Sequence, residues 1–276
     1  MKRMQKNEMN ILVSFDKNYI SPFHTMLKSL ALNNPGETFH IWLLHSAIPA
    51  EELRMLEEYC GEQRAAFTAV QVDRGIFQNA PISKRYPQEM YYRLLAPCLL
   101  PESVEKVLYL DPDILVINPL RPLWEMELEG RAFAAASHTG LTDVMNGVNR
   151  VRLGTNHDYY NSGVMLIDLE KARELVKPED IFQCVREHES ELVLPDQDVF
   201  NYLYGEQTVP VDDALWNYDA RYYSTYLIRS GGMYHMDWVM GNTAVLHFCG
   251  KNKPWAPSYS HRFGALYKHY MQVAAR

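Results

Sequence analysis

Two aspartates flank a proline at Asp111-Pro112-Asp113, directly after the apolar run Lys106-Val-Leu-Tyr-Leu110. Carboxylates two residues apart at the end of a strand can converge on one point, and the proline fixes φ and stiffens the turn between them. In open α/β sheets ligands bind outside the carboxyl ends of the strands, which is where this pair falls. Such a pair suits a hard cation, Mn2+ or Mg2+, that can also hold phosphate oxygens. The plain alternative is a turn with no other duty, since a lone Asp-x-Asp occurs in many proteins. His247 adds weight. It lies mid-strand in Val245-Leu-His-Phe248, where a lone histidine is more often a hydrogen-bonded core residue than a ligand. The loop behind it changes the balance, because Gly250 lets backbone N–H groups approach an anion and Lys251 and Lys253 bring charge. A neutral imidazole beside a phosphate-seeking loop fits a third metal ligand, one accepted more readily by Mn2+ than by Mg2+.

Those residues need strands to carry them. Ile11-Leu-Val-Ser-Phe15 is a short apolar run suited to a buried strand, with Asp16 and Asn18 at its end. Ser21-Pro22 predicts a helix start, followed by Phe23, Met26, Leu27 and Leu30 on one face. A second strand at Phe39–Leu44, a helix from Pro49 carrying Leu53, Leu56 and Tyr59, and a strand at Ala66–Val72 follow. This alternation predicts an α/β fold with a Rossmann-like, mostly parallel sheet flanked by helices. Further on, Gln88–Leu95 reads as helical, and Ile114–Ile117, Ala132–Ala136, Val164–Ile167 and Val245–Phe248 as strands. Helical patterns cover Pro178–His188, Gln197–Tyr204 and Arg262–Ala274. With no repeat and no Pro/Ser-rich linker, residues 1–276 read as a single domain, with residues 1–9 flexible.

Composition narrows the partners. The chain has 276 residues, 47% of them hydrophobic, and a formal charge of -7. That balance argues against nucleic acid as a partner, since its binders carry a basic surface, while a local pocket for a pyrophosphate needs only one or two cations. Cys60, Cys98, Cys184 and Cys249 form no C-x-x-C pair, so reduced thiols in a cytoplasmic protein are expected. Met1–Asn10 is polar with no signal-peptide h-region behind it and does not read as a signal peptide, and no apolar run reaches membrane-span length.

The residues together resemble the family 8 retaining glycosyltransferases, which include bacterial lipopolysaccharide galactosyl- and glucosyltransferases and glycogenin. The resemblance runs from Ile11 to Trp255. It rests on Phe15-Asp-Lys-Asn-Tyr19, Tyr92-Arg-Leu94, Lys106–Asp113, Tyr160-Asn-Ser-Gly-Val164, Asp196-Gln-Asp198 and His247–Trp255, all in order. It implies a GT-A type fold, with a nucleotide-binding N-terminal half and an acceptor-binding C-terminal half. It implies Mn2+ (or Mg2+) held by Asp111, Asp113 and His247, and UDP-glucose or UDP-galactose as donor. Ser14, Asp16, Asn18 and Tyr19 match the nucleotide site, with Tyr19 stacking on uracil. Arg93, Asn161 and Ser162 match positions facing the donor, Gly250 and Lys253 would grip the pyrophosphate, and Asp196 and Gln197 match residues near the anomeric carbon. One departure weighs against galactose: after Ala132–Ala136, galactosyltransferases of the family tend to place an aspartate, and here the sequence reads Ser137-His138.

Each of these residues also has a plainer explanation. Tyr19 could staple a helix start, Arg93 could pair with Glu89, Asn161-Ser162-Gly163 could be a turn leading into a strand, and Asp196 a helix cap after Pro195. Retention by double displacement would need a carboxylate nucleophile, for which Asp196 is the candidate and Gln197 too weak; a front-face path needs none and is preferred. A nucleotidyltransferase would carry a glycine-rich loop where this chain reads Ser14–Asn18. A non-catalytic sugar-nucleotide or glycan-binding protein could keep the same fold, and a UDP-sugar hydrolase would differ only in using water as acceptor. The acceptor side offers only the aromatic stretch Trp216–Ser224, which could stack on sugar rings or simply pack. A saccharide or glycolipid acceptor is expected, with at most peripheral contact at the inner membrane face through the tail Tyr267–Arg276.

Overall fold

A computed structural model describes residues 8–77, 80–81, 88–137, 148 and 150–276. The first strands form as the apolar runs predict: β1 Glu8–Ser14, β2 Thr38–His45 and β3 Ala65–Gln71, joined by helices α1 Ile20–Asn33 and α2 Ala50–Glu62. β1 pairs in parallel with β2, β2 with β3, and β1 with β4 (Lys106–Leu110). Beyond β4 the direction changes. β7 (Tyr160–Asp168) runs antiparallel to both β4 and β6 (Phe133–Ser137), and β8 (Thr208–Val211) completes the order β3-β2-β1-β4-β7-β6-β8.

The sheet is covered on both faces, which is why its strands read as nearly continuous apolar runs. Ile11, Val13, Leu108 and Leu110 face a cluster that includes Phe23, Met26, Leu27 and Leu30 of α1. Leu12, Val107, Tyr109 and Met165 face the opposite cluster, with Phe182, Val199 and Phe200 from later helices.

A second sheet holds β5 (Ile114–Val116), β10 (Val245–His247) and β9 (Tyr218–Asp219), in the order β5-β10-β9. β4 leaves the large sheet at Leu110 and the chain re-enters regular structure as β5 at Ile114. Asp111-Pro112-Asp113 is therefore the bridge between two sheets. His247 pairs opposite Ile114, one residue beyond that bridge.

Four expectations need correction. Gln88–Leu95 is not a helix: a 3-10 turn spans Gln88–Tyr91 and the chain then winds to a short helix at Ala96–Leu99. Tyr91, Tyr92, Leu94 and Leu95 are all buried, so the segment is not packed along one helical face and tertiary packing sets its path. β7 is longer than Val164–Ile167, so Asn161, Ser162 and Gly163 lie within a strand rather than a turn. Residues 8 and 9 belong to β1, and Met9 is fully buried, so the flexible segment cannot extend through them; residues 1–7 lie outside the described residues. The last helix begins at Gly264 instead of Arg262.

Candidate active site

Strand ends build this site. A cavity of about 450 Å³ opens at the carboxyl ends of β1 and β4, lined by Ser14, Phe15, Asp16, Tyr19, Glu89, Arg93, Asp111, Pro112, Asp113, Asp196 and Lys253. Asp111 and Asp113 from this lining, and His247 buried beside them, each offer a ligand atom, these atoms lying within 4.8 Å of one another. His247 Nε2 is 3.4 Å from Asp113 Oδ1 and 3.7 Å from Asp111 Oδ2. The backbone locks the geometry: Phe248 N donates to Asp113 O at 3.0 Å, and Asp111 N to Gly163 O at 2.8 Å.

Space for the trio comes from a missing side chain. A Cβ on Gly163 would sit 2.3 Å from His247 Cε1 and 2.7 Å from Asp111 Oδ2. Two carboxylates and an imidazole around such a cradle match the donor preferences of Mn2+, so the residues fit the divalent cation that the sequence implied.

Each ligand is oriented from behind. Asn217 Oδ1 lies 2.8 Å from His247 Nδ1, a contact that assigns the proton to Nδ1 and turns Nε2 toward the carboxylates. Asn217 Nδ2 donates to Asn161 Oδ1 at 2.9 Å, and Asn161 Nδ2 to Gln197 Oε1 at 3.0 Å. Tyr109 OH donates to Asp111 Oδ1 at 2.8 Å and contacts Ser14 Oγ at 3.2 Å. Arg93 ties the two sides together. Its NH2 reaches Asp111 Oδ1 at 2.9 Å and its NH1 reaches Asp196 Oδ2 at 3.2 Å, with Ser162 Oγ accepting at 3.3 Å. The guanidinium lies over the Tyr109 ring, 4.8 Å from its centroid. Lys253 forms an ion pair with Asp113 and donates to Phe248 O at 3.2 Å.

Burial and charge pull the two aspartates apart. Burial pushes the Asp111 carboxyl up; Arg93 opposes this and the neighbouring Asp113 adds to it. Burial acts the same way on Asp113, but His247 and Lys253 outweigh it and hold this carboxyl below the usual range. Burial disfavours a charged His247, yet Cys249 and Asp113 together carry the imidazole well above the usual histidine value. A cation bound at this imidazole would compete with a proton for the ring nitrogen.

The sequence-derived residues are distributed around this centre unequally. Ser14, Asp16, Tyr19, Arg93, Asp111, Asp113, Asp196 and Lys253 reach the cavity wall. Tyr19 packs edge-on against Trp255, with centroids 5.7 Å apart. Asn18 is spent locally: its backbone N and Nδ2 donate to the Asp16 carboxylate at 2.8 and 3.0 Å. Ser162 and Gln197 are buried behind the wall, 2% and 8% exposed, as supports for Arg93 and Asn161. Gly250 adopts φ +89°, a conformation glycine tolerates, and Arg221 lies against it so closely that a Cβ would come 2.7 Å from NH1. Arg93 pairs with Asp111 and Asp196 rather than with Glu89, and Asp196 is not the helix cap, which falls at Leu194.

The aromatic stretch Trp216–Ser224 is divided: Trp216 and Tyr223 are partly buried against the core. Tyr218 is fully buried and stacks on Tyr226 at 3.9 Å, while Tyr222 is exposed. Ser137 ends β6 opposite Tyr160, and His138 lies outside the described residues. Asn217, Tyr109, Gly163 and Glu89 were given no role in the site by the sequence. A glycine inside an apolar strand does signal close approach, so Gly163 was within reach, whereas Asn217 gives no such sign.

The comparisons with known proteins agree with this geometry. The family model described as "Glycosyl transferase family 8" matches residues 10–258. General stress protein A of Bacillus subtilis (strain 168) is 29% identical over 277 residues, covering 97% of this chain and 95% of that protein. A lipopolysaccharide 1,2-glucosyltransferase of Escherichia coli is 24% identical, covering 91% and 74%. Among solved structures, the galactosyltransferase LgtC in complex with donor and acceptor sugar analogues superposes with a TM-score of 0.79, at 21% identity and 96% coverage of both chains. At that identity the likeness shows the fold, and it is the GT-A type arrangement expected from the sequence.

Proposed function

This chain belongs to glycosyl transferase family 8, and from that premise we propose that it transfers glucose or galactose from UDP to a hydroxyl of a saccharide or glycolipid acceptor, with retention and with Mn2+ as the metal. The single observation carrying the reading is the convergence of Asp111, Asp113 and His247 at the wall of the cavity that Lys253 also lines. Relatives named as lipopolysaccharide glucosyl- and galactosyltransferases support a surface glycan as the acceptor class.

A divalent cation held by Asp111, Asp113 and His247 would supply Lewis-acid neutralisation of the diphosphate as it leaves. Lys253 adds a fixed positive charge at the same end, and the amides of the Gly250 loop add oriented dipoles. Asp16 and Tyr19 hold the nucleoside on the β1 side. Asn161, Gln197 and Asp196 stand on the β7 side, where the hexose lies. Asp196 is ion-paired with Arg93, which lowers its availability as a nucleophile. That pairing favours the front-face path, in which the acceptor hydroxyl approaches beside the leaving phosphate and gives its proton to the departing oxygen. Ser137 in place of an aspartate favours glucose over galactose. In this reading the N-terminal half of a single domain binds nucleotide and the C-terminal half the acceptor.

Among the described residues no helix is long and apolar enough to cross a membrane. The C-terminal tail also spends its aromatic residues internally: Tyr267 is fully buried, and Tyr270 OH accepts from Asn33 Nδ2 at 2.8 Å. With a nucleotide-activated sugar as donor, made in the cytoplasm, a cytoplasmic enzyme with peripheral membrane contact at most is the reading we propose.

The test is UDP release from a panel of UDP-sugars, with and without Mn2+, comparing wild type with Asp113→Ala. Metal-dependent release from UDP-glucose or UDP-galactose, lost in the variant, is expected. Metal-independent release, or undiminished release by Asp113→Ala, would overturn the assignment.

A further inference from the structure

The cavity crosses the sheet in strand order. β2, β1, β4 and β7 lie side by side. The wall at the β7 side carries Asp196 and, behind it, Asn161; the middle carries Asp111 and Asp113; the β1 end carries Ser14 and Asp16. At the far margin, over the end of β2, stands Glu89. Ser46, the residue after β2, donates its Oγ to Glu89 Oε1 at 3.1 Å. Among the described residues Ser46 is the one hydrogen-bond partner of this carboxylate, which has acceptor sites left over. A carboxylate so placed, in the cavity wall and held by a serine on the neighbouring strand end, has no part in the metal trio or in the Arg93 network.

Placing a nucleoside in the cavity rests on the UDP-sugar reading. If the diphosphate lies at Asp113 and Lys253 and the hexose toward β7, the nucleoside extends toward β1 and β2. Uridine offers three hydrogen-bond donors: the base N3–H and the two ribose hydroxyls. Tyr19 and Asp16 belong to one tight turn, with Asp16 capping the 3-10 helix Lys17–Tyr19, so a base laid on the tyrosine meets Asp16. The ribose hydroxyls remain for the carboxylate across the cavity. We propose that Glu89, braced by Ser46, accepts a hydrogen bond from a ribose hydroxyl of the donor and so makes the enzyme selective for ribonucleotides.

The experiment titrates UDP, 2′-deoxy-UDP and 3′-deoxy-UDP into the full chain by calorimetry with Mn2+ present, for wild type and Glu89→Ala. A hydrogen bond to a charged group is worth about tenfold to hundredfold in affinity. Wild type is expected to lose that factor on removal of the contacted hydroxyl. Glu89→Ala is expected to bind UDP itself that much more weakly and to distinguish the deoxy analogue by about twofold or less. Because the ratio is taken within each protein, a partly misfolded variant does not mimic the result. Wild type that binds UDP but ignores both deletions, or an equal penalty in both proteins, overturns the proposal and leaves the transferase reading standing. Wild type that fails to bind UDP overturns both.

Discussion

Replacing Gly163 by alanine adds one methyl group to β7 and aims it at the donor trio. The new Cβ would lie 2.3 Å from His247 Cε1, 2.7 Å from Asp111 Oδ2 and 3.0 Å from Asn161 Oδ1. Carbon–carbon contacts settle near about 3.5–4.0 Å, so the imidazole must retreat by more than about 1 Å. It has little room, being 4% exposed and held from behind by Asn217. Overpacking of this kind costs about 1–3 kcal/mol, a melting temperature lower by a few degrees at about 2–4 °C per kcal/mol. Metal sites tolerate ligand shifts of only about 0.2 Å. The Mn2+ affinity should therefore fall about tenfold to a hundredfold, roughly the range for disturbing groups that orient ligands. Isothermal titration of Mn2+, beside a thermal melt, measures both. Gly205→Ala is the matched control. Its Cβ would meet His157 Cε1 at 1.9 Å, in a different cavity, so it should cost stability and spare the metal. Gly163→Ala protein that melts lower yet binds Mn2+ with wild-type affinity would refute the argument that the absent side chain sets the trio's geometry.

His247 gives a pH dependence that runs in opposite directions with and without metal. In the metal-free protein its pKa is raised, so its contribution to stability is full below the unfolded value of about 6.5 and is lost as pH rises through the folded value. Metal binding needs the neutral ring, so Mn2+ affinity should begin to weaken while the pH is still above about 6.5 as acid is added, sooner than an unperturbed histidine would require. Calorimetry at neutral pH in buffers of different ionisation enthalpy should report release of a proton on binding; a buffer-independent enthalpy would count against this ligand. Asn217→Ala removes the partner that fixes the imidazole and should weaken Mn2+ binding about tenfold to a hundredfold with a modest change in melting. An unchanged titration would reduce Asn217 to packing.

How much of the fold and site was legible in the sequence depends on whether the signal was local. Ile11–Phe15 and Lys106–Leu110 are buried on both faces, and a strand of that kind announces itself as an unbroken apolar run. The Asp-Pro-Asp bridge and the His247 loop likewise carry their chemistry in adjacent residues. Gln88–Leu95 misled because its buried tyrosines and leucines satisfy a helical pattern as well as an irregular path through the core. The antiparallel turn of β7 follows from pairing with partners far along the chain, and no short window contains that information. Asn217 and Tyr109 act by touching a ligand from behind. Their roles exist only once His247 and Asp111 have been placed.

The bridge between the two sheets has an implication for how this protein is completed. Asp111 closes a strand of the large sheet, whereas His247 closes a strand of the small one. A chain that has folded its first sheet but not docked its last third would hold carboxylates and no imidazole, and would grip a cation weakly. Full affinity would arrive only when the small sheet has seated, so a cation present at a hundred times its dissociation constant would add about 2.7 kcal/mol to the finished molecule and almost nothing to a half-built one. The metal would then act as a proofreader of assembly: the same ion that readies the site for a sugar nucleotide rewards only chains whose two sheets have met.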